Sequence, residues 1–311
     1  MAQYHVGTAG WSYEDWEGIV YPAPRPRGLH PLTYLAGFID IVEVNSTFYR
    51  PAPPAMVLSW LKKIESRPGF LLSLKLFQAF THAREGFTRK DIDDVRQAAN
   101  LVRLQGRLAA LLAQFPWSFR NSPENTGYLL GLFKLFDGYP LAVEVRHKSW
   151  DTPEFFDLLA GHRAAFCNID QPLFDASIGP SAVSTTPDFA YVRLHGRNHK
   201  NWFREGAGRD DRYDYLYARD ELAEWVDRIK QLGLKSGKVY VITNNHYRGQ
   251  AMANALQIKN MITGDKVDIP DLLLEKYPVL GEIVRAIQAG QMDLFDRGPK
   301  KNGSDDTGGP Q

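Results

Sequence analysis

The sequence reads Leu141-Ala142-Val143-Glu144-Val145-Arg146-His147 near the middle of the chain, with charged residues at two alternate positions. Side chains of a β-strand alternate between its two faces, so Val143 and Val145 share one face while Glu144 and Arg146 share the other. Short runs rich in β-branched residues are typical of strands. The segment therefore predicts a strand with one apolar and one polar face, and with its charged residues close to its C-terminal end.

Seven other segments have the length and the apolar content of buried strands. Stretches with helical spacing of apolar residues separate most of them, although the link between the sixth and seventh strands has little helix signal. This alternation predicts an α/β fold, and eight such units predict a single TIM-like (β/α)8 barrel with a C-terminal helix. The predicted strands are Tyr4–Gly10, Ile41–Asn45, Phe70–Phe77, Leu108–Phe115, Leu141–His147, Ala164–Asp170, Tyr191–Gly196 and Val239–Asn245. The predicted helices are Pro54–Glu65, Lys90–Leu104, Pro153–Leu159 and Asp220–Leu232.

The same alternation puts polar residues on one face of other strands. In the sixth strand, Asn168 and Asp170 oppose Cys167 and Ile169, which predicts that the thiol is packed and inert. We expect the polar faces to meet at the C-terminal ends of the strands, where barrel enzymes carry their active sites. An alternative for the charged pair of the fifth strand is a buried ion pair without a catalytic role. The residues predicted to lie near the barrel axis are Glu43, Asn45, Lys75, Glu144, Arg146, Asp170, Arg193 and His195.

The overall composition limits the functional classes. The chain has 311 residues, 44% of them hydrophobic, and its 37 basic and 36 acidic residues give a net charge of +1. This balance predicts neither nucleic-acid nor membrane binding for the chain as a whole. The lone Cys167 excludes an intramolecular disulfide and a thiolate metal cluster. Because the sequence has neither a secretory signal nor a run of about 18 apolar residues, we expect a cytoplasmic protein without a membrane span.

The segments Gly7–Tyr13 and Val42–Tyr49 are the longest of a set of motifs that runs from about residue 4 to about residue 260. These motifs resemble the YecE-like family, a domain of unknown function (number 72), over most of the chain. The resemblance implies a TIM-like barrel. It implies no reaction, because the activity of the family is not settled, so function has to be argued from the site. The other matching motifs are Gln114–Pro116, Glu144–His147, Tyr191–Gly196 and Tyr240–Asn245.

Aromatic residues gather after the strand ends. Trp11 and Tyr49 follow the first and second predicted strands, and Trp202 follows the seventh. Flat rings bind ligands with flat faces, such as bases and sugars. The alternative is a hydrophobic plug that packs the loops together. Other tryptophans at such positions are Trp16, Trp117 and Trp150.

The loops after the seventh and eighth strands are rich in cationic and amide side chains. Barrels often hold a phosphate there, helped by a helix N-terminus, and basic residues mixed with aromatics also suit a nucleic-acid groove. We expect an anion site formed by Arg193, Arg197, Asn245, His246 and Arg248. The alternative is a solvated loop whose acidic residues neutralise its charge. The full set of predicted substrate-binding residues is Trp11, Asn45, Tyr49, Lys75, Arg146, Arg193, Arg197, Trp202, Asn245, His246 and Arg248.

Carboxylates and imidazoles supply the candidate acid–base groups. Glu144 is the first candidate, because arginines nearby can tune it, and Asp170 and Glu43 are the alternatives. His195 is the group best able to move a proton near neutral pH. Two carboxylates across a mouth also suit a carbohydrate-active hydrolase. No cofactor is predicted and no residue is assigned to a metal; a divalent ion stays an open alternative that the neighbouring cations disfavour.

The last residues differ in character from the rest. We expect residues 1–290 to form the barrel domain and residues 291–311 to form a flexible polar tail. Within the tail, Gln291, Asp293, Leu294 and Phe295 resemble the short motif with which bacterial proteins bind the DNA sliding clamp. The alternative is that Leu294 and Phe295 complete the last helix.

Three functional hypotheses follow. The first is a barrel that binds an anionic, phosphate-containing substrate, with nucleic acid as one candidate ligand and hydrolysis as one candidate reaction. The second is a carbohydrate-active hydrolase, and the third is a non-catalytic interaction protein linked to the sliding clamp. Sequence patterns do not separate them, because spacing along a chain does not give separation in space.

Overall fold

Eight parallel strands close into a barrel in chain order, and the last strand pairs with the first. This confirms the predicted TIM-like (β/α)8 architecture. The computed structural model describes residues 2–202, 204, 206 and 208–285, with residue 209 described by its backbone alone. The strands are β1 (Gln3–Ala9), β2 (Ile41–Val44), β3 (Leu71–Lys75), β4 (Leu108–Gln114), β5 (Leu141–Glu144), β6 (Ala165–Asp170), β7 (Ala190–Leu194) and β8 (Lys238–Thr243).

Helices surround the barrel, and the four predicted from the sequence are confirmed with ends shifted by two residues or fewer. In the described part of the chain, none is long and apolar enough to cross a membrane; a cytoplasmic location stays a prediction. The α-helices are α1 (Pro31–Leu35), α2 (Pro54–Lys63), α3 (Arg89–Leu104), α4 (Pro123–Leu135), α5 (Pro153–Gly161), α6 (His199–Trp202), α7 (Arg209–Arg212), α8 (Arg219–Gly233), α9 (Gln250–Thr263) and α10 (Asp271–Lys276). Single 3-10 turns cover Glu14–Trp16, Asn45–Phe48, Gln78–Phe80, Lys148–Trp150, Tyr247–Gly249 and Pro278–Glu282.

Local sequence determines where several helices begin. Thr88 caps α3: its side chain accepts from the backbone N–H of Asp91, and the Asp91 carboxylate accepts from the backbone N–H of Thr88. The side chains of Ser122 and Thr152 cap α4 and α5 by accepting from the backbone N–H of Asn125 and of Phe155, and each cap is followed by a proline in the first turn. These caps mark the points where the loops that leave the C-terminal ends of β3, β4 and β5 give way to helices.

The strand register shows which side chains point into the barrel, because residues paired across parallel strands face the same side. Glu43 pairs with Ser73, and the hydroxyl of Tyr191 lies between them inside the barrel, 3.0 Å from Glu43 Oε2 and 2.8 Å from Ser73 Oγ. Cys167 pairs with Tyr191 and therefore also faces inward. The inward orientation predicted for Asp170 is thus wrong, since it belongs to the other face of β6.

The physical reason lies in the link between β6 and β7, which contains no helix over residues 171–189, as its sequence indicated. An irregular link leaves backbone groups that need polar partners. Asn168 provides them: Oδ1 accepts from the N–H of Val183 at 2.8 Å and from Ser181 Oγ at 2.8 Å, and Nδ2 donates to the carbonyl of Val183 at 2.9 Å. The polar face of β6 therefore points outward, toward a layer that is itself polar.

Close packing brings β1 and β2 together at a glycine. A Cβ atom placed on Gly7 would lie 1.7 Å from the carbonyl oxygen of Ile41, so no other residue fits without moving the strand. On the outer side, Leu222, Trp225 and Ile229 of α8 are fully buried in the core that joins the helices to the strands. The barrel wall therefore holds the ends of its strands in fixed positions around the mouth.

Candidate functional site

A cavity of about 400 Å³ opens at the C-terminal ends of the strands. Charged and amide side chains form its floor, and aromatic rings form much of its wall. It joins a second space of about 680 Å³, with which it shares Phe48, Lys75, Gln114, Arg146 and Tyr213. The first cavity is lined by Gly10, Trp11, Ser12, Tyr13, Asn45, Ser46, Phe48, Tyr49, Lys75, Gln114, Arg146, Arg193, Tyr213, Asn244 and His246. We refer to the two spaces together as the mouth.

A buried guanidinium group crosses the barrel beneath the mouth. Arg193, which is 2% exposed, donates from Nη2 to Glu43 Oε1 at 2.6 Å and from Nη1 to Glu144 Oε2. Both carboxylates are fully buried. A buried charge is tolerated only with partners of opposite sign. Arg193 of β7 therefore connects β2 with β5 through two charge-assisted bonds.

The second oxygen of Glu144 extends this network toward the mouth. Oε1 accepts from Arg146 Nη2 at 2.7 Å and lies 3.3 Å from His195 Nε2. Burial alone would raise the pKa of Glu144, but Arg193, Arg146 and His195 outweigh it and hold that pKa well below its usual range. The carboxylate therefore stays ionised, and both of its oxygens are occupied.

His195 is buried and uncharged. Burial is the main cause that lowers its pKa to about 3, with Glu144 opposing the shift and Arg146 adding to it. The amide Nδ2 of Asn244 lies 2.9 Å from His195 Nδ1. With this amide as the donor, the ring hydrogen is on Nε2, which lies 3.3 Å from Glu144 Oε1 and also 3.3 Å from Arg146 Nη2.

Lys75, the last residue of β3, has a different environment. Its Nζ lies 4.1 Å from the centre of the Phe48 ring and lines both parts of the mouth. Among the described residues it forms no ion pair, although Glu43 and Glu144 are near enough to act on its charge. Burial is the largest cause that lowers the pKa of Lys75 to about 7, followed by the Arg193 guanidinium. At neutral pH this residue exists as both ammonium and free amine.

The two arginines also offer unused donors. Within the described part of the chain, Nε of Arg146 and Nε of Arg193 are buried without a hydrogen-bond partner. Buried N–H groups are paired in most proteins, so these two donors are open to a further acceptor. Both arginines line the cavity.

The described residues contain no group of three or more histidine, cysteine, aspartate or glutamate side chains placed to hold a metal ion. The carboxylates that point inward are bonded to arginine, as described above. The residues that can hold a ligand in the mouth are therefore cationic, amide and aromatic ones, which suit an anion and flat apolar surfaces.

The model of the family described as "Protein of unknown function DUF72" matches residues 5–275. The chain belongs to the DUF72 family. This confirms the resemblance seen in its motifs.

Among relatives of this DUF72 protein, the UPF0759 protein YunF of Bacillus subtilis (strain 168) is 28% identical over 271 residues, which cover 83% of this chain and 94% of YunF. A DUF72 family protein from Thermotoga maritima has a similar structure, with a TM-score of 0.71, 34% identity and coverage of 84% of this chain and 99% of that chain. A DUF72 family protein from Enterococcus faecalis V583 has a TM-score of 0.74 at 23% identity, with coverage of 86% and 98%. The last likeness shows the fold alone.

Most residues predicted for the site of this DUF72 protein lie at the mouth or directly beneath it. Lys75, Arg146 and Arg193 are in the floor, as the strand pattern indicated. Glu43, Glu144 and His195 form the buried network under the floor and do not line the cavity. The predicted residues on the walls are Trp11, Asn45, Tyr49 and His246 in the first cavity and Trp202 in the second.

Asp170 and Arg197 lie on the outer side of the barrel. Arg197 Nε donates to Asp170 Oδ2 at 2.9 Å, and Arg197 Nη1 donates to Glu221 Oε1 of α8 at 3.0 Å. Burial raises the pKa of Asp170 even though Arg197 and Tyr217 act against the shift. The structure therefore separates these two residues from the mouth, contrary to the expectation that they belong to it.

Asn245 and Arg248 also lie away from the mouth. Asn245 faces outward and donates from Nδ2 to Asn254 Oδ1 of α9 at 2.8 Å. Arg248 is exposed on a turn, where its backbone N–H is bonded to the Asp15 carboxylate. The five-residue anion site expected from these loops is thus not assembled; Arg193 and His246 alone reach the cavity.

The residues that sequence reasoning missed include Gln114, Tyr213 and Asn244 in the lining of the mouth and Tyr191 in the network beneath it. Gln114 and Asn244 share the inward face of β4 and of the end of β8, so the alternation argument applied to those strands would have found them. Tyr213 comes from a loop with no periodic signal. The predicted partner-binding residues lie outside the described residues; they are Gln291, Asp293, Leu294 and Phe295.

Proposed function

We propose that the mouth of this DUF72 barrel binds a small anionic substrate that carries a phosphate group. The observation that carries the proposal is the Lys75 side chain, which faces the cavity without an ion pair among the described residues. A cation held partly out of water without a counter-ion favours the binding of an anion.

The balance of charge in and beneath the floor supports this. Three cationic side chains, Lys75, Arg146 and Arg193, face two carboxylates, Glu43 and Glu144. When Lys75 is protonated, one positive charge remains uncompensated. The unpaired Nε donors of the two arginines add directional hydrogen bonds that phosphate oxygens accept well.

The size of the cavity favours a small molecule over a nucleic acid. The first cavity, of about 400 Å³, and the second, of about 680 Å³, each fall in the usual range for small-molecule sites, roughly 300–1,000 Å³. Two cations of the basic loop after β7 are already paired, Arg197 with Asp170 and Glu221, and Arg204 with Asp211 at 2.9 Å. Paired surface cations contribute little to phosphate binding.

The arrangement of the carboxylates argues against the carbohydrate alternative. Glycosidases of the usual kind need one carboxyl group that can carry a proton and a second that is free to attack or to activate water. Glu43 and Glu144 instead share the guanidinium group of Arg193, and both are fully buried. Neither has the free oxygen that this chemistry requires.

The proposal is tested by thermal unfolding in phosphate and in chloride at equal ionic strength. Phosphate that binds the folded state raises the melting temperature of the wild type with concentration. The Lys75→Met variant, which removes the charge at similar volume, is expected to lose most of that rise, and the exposed Lys230→Gln variant to keep it. An equal rise in the wild type and in Lys75→Met would contradict the proposal, because phosphate also stabilises folded proteins in general.

A further inference from the structure

We infer that Lys75 is a nucleophile whose amine forms an imine with a carbonyl group of the substrate. The inference rests on the proposed function and deepens it, because it names the substrate class as anionic aldehydes or ketones. It follows from where the amine lies, what surrounds it and which neighbours can hold the rest of such a molecule.

The position of Lys75 suits attack on a bound molecule. It is the last residue of β3, at the end of the barrel where TIM-like enzymes carry their reactive groups. Thr47 Oγ1 lies 2.6 Å from the carbonyl oxygen of Lys75 and 2.8 Å from that of Val44, which ties the ends of β3 and β2 together. The backbone that carries the amine is therefore held in place, while Nζ reaches the space shared by both parts of the mouth.

The environment of Nζ favours an uncharged amine. The face of the Phe48 ring lies 4.1 Å from Nζ and by itself attracts the ammonium form, but no carboxylate in the described part of the chain forms an ion pair with Lys75. Burial and the nearby Arg193 guanidinium lower the pKa of Lys75 to about 7. Lysines are made nucleophilic in this way, by an apolar wall and a neighbouring cation.

The neighbours of Lys75 can hold the charged part of the substrate and stabilise the product. Arg146 has an unpaired Nε donor, and the side chains of Gln114 and Asn244 line the same cavity. A protonated imine at Lys75 restores the positive charge near the carboxylates of Glu43 and Glu144, which both raise the pKa of Lys75. The network beneath the floor thus favours the cationic form of the adduct.

The step balances without any further reagent. The lone pair of the Lys75 amine adds to the carbonyl carbon, a nitrogen–carbon bond forms, and the π electrons of the carbonyl move to oxygen. Proton transfer from nitrogen to oxygen gives a carbinolamine. Loss of that oxygen with both amine hydrogens, as water, gives the neutral imine, and a proton from solvent gives its cationic form. Nothing is oxidised or reduced.

The test uses the full chain and two probes, glyoxylate and pyridoxal 5′-phosphate, each an anionic aldehyde. Sodium borohydride reduces an imine to a stable secondary amine, which intact mass and peptide mapping then locate. We expect Lys75 to be labelled about tenfold or more faster than the surface lysines. Lys75→Arg keeps a cation and removes the amine, so it is expected to lose the fast labelling; Lys230→Gln is the matched control and keeps it.

Inorganic phosphate separates the two proposals. If both hold, phosphate slows the labelling of Lys75 in the wild type, a readout that needs no variant to fold. A second outcome is that phosphate raises the melting temperature but the borohydride label is spread evenly over the surface lysines. It overturns imine formation at Lys75 and leaves the anion site supported. A third outcome is fast labelling of Lys75 that phosphate does not slow, together with no phosphate effect on the melting temperature. It overturns the anion site and leaves the reactive amine supported.

Discussion

The amide of Asn244 and the ring of His195 form a buried pair, with Nδ2 of the first 2.9 Å from Nδ1 of the second. Both side chains come from the C-terminal ends of neighbouring strands, β8 and β7. The pair holds the imidazole with Nε2 toward Glu144, where a charged ring would meet the arginines. His195 therefore acts as a fixed neutral group, and its burial closes it off from a bound molecule.

This pairing predicts how His195 titrates. Because burial lowers its pKa to about 3, the ring should stay neutral, with hydrogen on Nε2, from pH 8 down to about pH 4. Nitrogen chemical shifts of the imidazole measure this directly. A titration midpoint near pH 6.5 for His195 would contradict this prediction. It would show that solvent reaches the ring and would restore the predicted role of His195 in moving a proton.

The Glu144→Gln substitution should strongly destabilise the fold. It leaves Arg193 with one carboxylate and Arg146 with none, and breaking a buried ion pair costs about 3–5 kcal/mol. Urea denaturation gives the free energy of unfolding. Glu282→Gln, which removes an exposed ion pair with Arg219, is the control and should change it by about 1 kcal/mol or less. Similar small losses for both variants would mean that the network contributes no net stability.

Stability should depend on pH through Lys75. Its pKa is about 7 in the folded chain, whereas an unfolded lysine titrates near roughly 10.4. Between these values the unfolded chain binds more protons, so the contribution of Lys75 to the free energy of unfolding rises with pH, by at most about 1.4 kcal/mol per pH unit. The free energy of unfolding of the wild type minus that of Lys75→Met, measured by urea denaturation without phosphate, isolates the contribution of Lys75. A difference that is flat from pH 7 to about 10 contradicts it.

Asp170 should matter for stability and not for anion binding. Its carboxylate holds Arg197 on the outer side of the barrel, so Asp170→Asn is expected to lower the free energy of unfolding by about 1–3 kcal/mol. Phosphate should raise the melting temperature of this variant as much as that of the wild type. Loss of the phosphate effect in Asp170→Asn, with the fold intact by circular dichroism, would place the anion site on the other side of β6.

The tail prediction is independent of the mouth. A peptide of residues 290–296 contains Gln291, Asp293, Leu294 and Phe295 and is expected to bind the sliding clamp of the host with a dissociation constant on the order of micromolar, since a short peptide orders few residues. Fluorescence anisotropy measures the affinity. The control carries Leu294→Ala and Phe295→Ala together; equal affinity of the two peptides would remove the case for a specific motif.

The architecture and most of the floor of the mouth were predictable because strand alternation is a local property. Glu144, Arg146 and Arg193 follow the period of two, and their strands are covered by apolar helices that force polar residues inward. Asp170 breaks the rule because the layer outside β6 is an irregular link with its own polar groups. The alternation of residues shows that the two faces of a strand differ in polarity. Which face points into the barrel depends on whether the layer that covers the strand from outside is apolar or polar.

The roles of the carboxylates were not predictable from the sequence. Glu43 and Glu144 are separated by about a hundred residues, and their shared partner Arg193 comes from a third strand. Closure of the barrel brings both carboxylates within hydrogen-bonding distance of one guanidinium group. In the folded chain these two candidate acid–base groups are therefore counter-ions of Arg193. The same closure leaves Lys75, which had no distinguishing motif, as the reactive group.

The bond between Arg193 and Glu43 joins the second half of the barrel to the first. β7 belongs to the last four strands and β2 to the first four, so a cut between β4 and β5 would leave the arginine in one fragment and the carboxylate in the other. Each fragment would then bury or expose half of an ion pair, and Glu144 alone would have to neutralise Arg193. Half-barrels of this chain are therefore poor autonomous units, and loss of this charge match should weaken their recombination.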